Sequence, residues 1–119
     1  RKKVLQLNRF IIAAHPFRGF LTFGIGQLGL TPEKAMARTL FQHVDGIEVL
    51  NSKVSEKENL FSSQVAAGLA LPGTGGSDAH EVEEIGIYAT RFFDVITCEE
   101  DFLKALRQKN YQPTAFRRR

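Results

Sequence analysis

The chain has 119 residues, 43% of them hydrophobic and 24% charged, which fits one ordinary globular domain, 1–119, with enough apolar residues for a real core. Its formal charge of +3 overstates a basic character: six positive charges sit in the tails 1–3 and 117–119, so the body between them carries −3. A single Cys, Cys98, excludes an internal disulfide and fits a reducing compartment, and no apolar run reaches the ~18 residues of a membrane span, so a cytoplasmic protein with no membrane partner is expected.

Taken in chain order, the pattern alternates short apolar runs with helical periodicity, which predicts an α/β fold with mostly parallel strands. Phe10–Ala14 reads as a buried strand ended by His15, and Pro16 biases His15 toward extended backbone. A Gly-rich loop follows from Arg18 to Leu30, with Phe20 and Phe23 as apolar anchors. Within it Gly24, Gly26 and Gly29 spell a dinucleotide fingerprint, but Pro32 falls where that fingerprint needs a helix already running, so the reading is rejected.

Thr31 as N-cap and Pro32 at the first position start a helix with Met36 and Leu40 on one face and His43 near its end. Gly46–Leu50 predicts a second strand in which Ile47 and Val49 share one face, and Glu48 and Leu50 the other. Glu48 reads as a structural hydrogen-bonding residue and Asn51 as a turn former, the competing readings being a Glu48 that lines the sheet end or supports a ligand residue and an Asn51 that supports one. Ser55 with Glu58 is a capping box, and Phe61, Val65 and Leu69 mark the inward stripe of a helix ending near Ala70. Thr74–Ser77 is a short third strand and Ile85–Thr90 a fourth. Thr97 with Glu100 reads as a second capping box, opening a helix that turns Phe102, Leu103 and Leu106 inward. A last strand lies near 113–116.

The residues that carry chemistry are His15 and the pair Asp78 and His80. In an extended segment, residues two apart leave from one face, so Asp78 and His80 offer a carboxylate and an imidazole side by side. Such donors suit a borderline divalent cation. Both segments follow apolar strands in a βα pattern, which puts them at the same end of the sheet, where α/β folds keep their sites. The competing readings are a structural histidine at position 15 and a capping aspartate at position 78. Cys98, just inside a helix start, has no His or Cys neighbour in sequence and is read as non-catalytic.

These segments resemble the PHP family, named after polymerase and histidinol phosphatase, whose members are metal-dependent phosphoesterases on a distorted (β/α)7 barrel. The resemblance runs through AAHPFR at 13–18, DGIEVLN at 45–51, GGSDAH at 75–80 and YATRF at 88–92. It implies a partial PHP-type barrel and maps the family's late ligand motifs onto His15, Asp78 and His80. The family's opening His-x-His and the early ligands after it have no counterpart, so the resemblance implies the C-terminal portion of such a domain. It also implies a divalent metal (Zn, Mn or Fe) at a site partly or wholly empty without the missing ligands. Arg18, three residues after His15, would then clamp a substrate phosphate, the competing reading being a solvated loop arginine.

The expected function is therefore the C-terminal part of a metal-dependent phosphoesterase, incomplete alone, acting on phosphate esters such as nucleotides or oligonucleotides. An alternative is a non-enzymatic oligomerisation or regulatory module that pairs through open sheet edges. Nucleic-acid binding through the terminal Arg and Lys clusters is the weakest of the three, because the body shows no basic surface interleaved with aromatics.

Overall fold

The computed structural model describes residues 9–19 and 31–117, and the Gly-rich stretch 20–30, with Phe20 and Phe23, and most of both basic tails lie outside them. The elements are β1 (Ile12–Ala13), α1 (Pro32–Met36), a 3-10 turn (Thr39–Gln42), β2 (Gly46–Asn51), α2 (Glu56–Gly68), β3 (Gly73–Gly76), a second 3-10 turn (Val82–Glu84), β4 (Tyr88–Phe92), α3 (Glu99–Arg107) and β5 (Tyr111–Ala115). β1, β2 and β3 form a parallel sheet in that order, and β4 pairs with β5 antiparallel. The described residues thus make a small mixed α/β domain. The expectation of mostly parallel strands holds for the first three and fails for the last two. The α3 connection reverses the chain, and Tyr111 pairs with Phe92 at the far end of β4.

The core lies between the parallel sheet and α2. Ile47 and Val65 are fully buried there, with Phe17, Ala35, Phe41, Val44, Val49 and Ala66 around them. Phe17 meets Phe61 edge-on at 4.6 Å between ring centroids, which ties the turn after β1 to α2. α1 is shorter than its sequence pattern predicts. It ends at Met36 and gives way to the 3-10 turn, which buries Phe41 and leaves Leu40 exposed. Met36 crosses α2 at Gly68, where a Cβ would lie 2.1 Å from the Met36 methyl carbon.

α2 begins as predicted. The Ser55 hydroxyl accepts from the Glu58 N–H, and the Glu58 carboxylate accepts from the Ser55 N–H. Its inward face is more polar than the stripe suggested, since Glu58, Asn59 and Ser62 are buried beside Val65 and Ala66. α3 starts one residue later than expected. Cys98 is the N-cap, its Sγ accepting from the Asp101 N–H, and Thr97 instead gives its hydroxyl and its N–H to the Asp101 carboxylate. The Thr97 hydroxyl, with the Thr97 N–H behind it, holds the Asp101 carboxyl below its ordinary 3.8. Of the inward trio, Leu106 is buried with Ala105, while Phe102 is exposed and rests on Phe92.

β1 corrects a second expectation. It is a two-residue edge strand, and Ile11 and Ile12 are more than a third exposed instead of buried. The two sheets are joined at Gly75, whose N–H donates to Thr90 Oγ1 at 3.0 Å while the same hydroxyl donates back to Gly75 O at 2.8 Å.

Candidate functional site

His15 follows β1, and Asp78 lies two residues beyond β3, so both stand at the carboxyl edge of the parallel sheet, as the βα pattern requires. Sixty-three positions apart in sequence, they meet with His15 Nε2 4.0 Å from Asp78 Oδ2. The same oxygen lies 3.5 Å from Arg18 Nη1 and accepts from Asn51 Nδ2 at 3.3 Å. Arg18 thus reaches Asp78 from a half-exposed loop position.

The local backbone departs from the sequence reading at both residues. His15 has φ 27° and Asp78 φ 49°, both left-handed, where extended backbone was expected. A tight turn follows, closed by the Arg18 N–H on His15 O at 3.1 Å, and it fixes Pro16 and Phe17 at its two central positions, not His15 at its first. Past Gly76 the chain leaves the sheet, so the alternation that would set Asp78 and His80 side by side no longer applies. His80 instead turns its Nδ1 back onto Asp78 O at 2.9 Å.

β2, the central strand, supplies the support. Its register slips between Glu48 and Leu50, so Val49 is an extra residue against β3. This bulge brings Asn51 onto the Glu48 side, where Asn51 Nδ2 donates to Glu48 Oε1 at 2.8 Å. Glu48 Oε1 also accepts the His15 N–H at 2.9 Å. Glu48 is thus the structural hydrogen-bonding residue that its position in the strand suggested. Asn51 forms the expected turn, its Oδ1 accepting from the Lys53 N–H at 2.8 Å, and it reaches the site as well.

Sequence reasoning missed the residues that brace these loops. Asn59 of α2 accepts from the Asn51 N–H at 3.0 Å and donates to Asn51 O at 3.1 Å, acting as one more peptide partner for β2. Ser52 donates its hydroxyl to Ser77 O, and Lys53 pairs with Glu84. Glu84 in turn accepts the N–H groups of His80 and Glu81, each at 3.0 Å. The signal in the sequence was the polar run Glu58, Asn59 and Ser62 at helical spacing on an inward face.

As a donor set for a divalent metal, the site offers His15 Nε2 and Asp78 Oδ2 together, with His80 turned to the Asp78 carbonyl. Among the described residues, no three His, Cys, Asp or Glu side chains gather as a metal centre requires. These residues fit a cation as a pair of ligands and not as a set of three.

What the geometry defines is a small α/β domain with a braced polar cluster at the carboxyl edge of its parallel sheet. Residues 56–111 match the family model described as PHP-associated, consistent with a C-terminal PHP-family region. The match runs from the start of α2 to the start of β5. It takes in Asp78 and His80 and leaves His15, Arg18, Glu48 and Asn51 before it. No curated protein and no solved structure matches the chain. No described helix is long and apolar enough to cross a membrane.

Proposed function

We propose that the chain is the C-terminal part of a PHP-type metal-dependent phosphoesterase, acting on phosphate esters of the nucleotide or oligonucleotide kind. The observation that carries this reading is the meeting of His15, Arg18 and Asp78 at the carboxyl edge of the sheet. His15 and Asp78 would hold one side of a divalent cation, with His80 joining once its ring leaves the Asp78 carbonyl. A divalent metal, when bound, supplies a polarised phosphoryl oxygen and an acidified water. Arg18 is half exposed in its side chain, which leaves its guanidinium free to exchange Asp78 for a phosphate oxygen. Catalysis then depends on ligands beyond the described residues.

The test is calorimetric titration of Zn²⁺ and Mn²⁺ into the chain and into Asp78→Ala, paired with p-nitrophenyl phosphate hydrolysis. Weak binding lost in the variant, with negligible turnover by the chain alone, is expected. Binding that Asp78→Ala leaves intact would remove the site, and robust turnover would overturn its dependence on further ligands.

A second reading is a non-enzymatic module that pairs through its sheet edge. What favours it is β1, two residues long at the end of the sheet, with Ile12 in the strand and Ile11 before it both more than a third exposed.

A further inference from the structure

Left-handed backbone at a non-glycine residue is unfavourable and persists only where its surroundings impose it. Among the described residues it occurs at His15, Ala70, Asp78 and Lys109. Ala70 and Lys109 have a local cause. Each follows a helix, and the next residue's N–H reaches back five positions, Leu71 to Ala66 O and Asn110 to Ala105 O, both at 2.9 Å. His15 and Asp78 follow strands and have no such cause. They share contact with one pair of side chains, Glu48 and Asn51.

That pair is itself fixed. Asn51 is 1% exposed, and its N–H, its carbonyl and its Oδ1 are all engaged, by Asn59 and by the Lys53 N–H. Its amide can therefore point only along the line from Glu48 Oε1 to Asp78 Oδ2. Gly76 leaves the Glu48 carboxylate its place, because a Cβ there would lie 2.6 Å from Glu48 Oε2. The bulge at Val49 is what puts both side chains on one face of β2.

We propose that Glu48 and Asn51 are positioning residues: Glu48 holds His15 through its backbone N–H, Asn51 holds Asp78 through its carboxylate, and together they keep the two site residues in left-handed backbone within reach of one ligand. The link to a ligand rests on the phosphoesterase reading, whereas the conformational link does not.

The test is solution NMR on the chain and on Glu48→Ala, Glu48→Gln and Asn51→Ala. Positive φ brings a residue's own amide and α protons close, so wild type is expected to show a strong intraresidue cross-peak at all four positions. Glu48→Ala should lose it at His15 and keep it at Ala70 and Lys109. Asn51→Ala should lose it at Asp78 alone. Glu48→Gln, which keeps an acceptor oxygen, should restore His15. Retention at His15 in Glu48→Ala, or at Asp78 in Asn51→Ala, overturns the proposal. So does simultaneous loss at Ala70 and Lys109 in both Glu48→Gln and Asn51→Ala, which would make the pair a general support of the fold. Zn²⁺ affinity measured on the same samples should fall about 10- to 100-fold in Asn51→Ala. Wild type that shows the cross-peaks but binds no Zn²⁺ would remove His15 and Asp78 as a metal pair in this chain and leave the positioning role intact.

Discussion

At the scale of single residues, left-handed backbone separates helix endings from the site. Ala70 (φ 55°) and Lys109 (φ 57°) occupy positions that glycine usually fills after a helix. Replacing Ala70 with Gly should raise stability by about 0.5–1 kcal/mol, the steric relief exceeding the added chain entropy, and chemical denaturation would read it. The Tyr111 hydroxyl is buried with no hydrogen-bond partner among the described residues, and burial, with Asp45 adding its charge, pushes it up to about 12. An unfolded tyrosine titrates near ~10, so the folded state holds this proton more tightly. Its contribution is complete below pH ~10 and fades as pH climbs toward ~12. Tyr111→Phe should therefore equal or exceed wild type in urea midpoint at pH 8, and it should lose less of that midpoint by pH 11. That His15 and Asp78 lie near one another at one end of the sheet was legible in the sequence. Their backbone was not, because contacts from β2 act on both residues across the sheet, outside the reach of the local bias of Pro16.

At the scale of elements, what local chemistry dictates was readable and what neighbours dictate was not. The Ser55 box and the Thr31–Pro32 helix start are local signals, and both helices begin where those residues place them. The lengths of α1 and β1 follow from packing partners far away in sequence, and the bulge in β2 leaves no mark in a run such as Gly46–Asn51. Nor do the three glycines of Gly73–Gly76 announce why they lack side chains. At Gly75 the reason is contact: a Cβ would lie 2.4 Å from Ala89 O, a backbone atom with nowhere to go. Gly75→Ala should cost about 1–3 kcal/mol by pushing the second sheet away from the first, visible as a lowered melting temperature.

At the scale of the whole molecule, the sequence pointed to one end of one sheet, and the site lies there. The order β1-β2-β3 explains why: the flanking strands deliver His15 and Asp78, and the central strand sends Glu48 and Asn51 between them. His80 is turned to the Asp78 carbonyl once the strand has ended. If the short β1 edge is a pairing surface, light scattering should find a dimer that Ile12→Lys converts to monomer; a wild-type monomer at all concentrations would end that reading. The two sheets, finally, touch through a hydroxyl where another protein would continue the ladder. The Gly75 amide stays shielded from solvent only while Thr90 sits on it. Its deuterium uptake is thus a clock for how often the β4–β5 hairpin lifts off, a sub-global opening timed at a single proton.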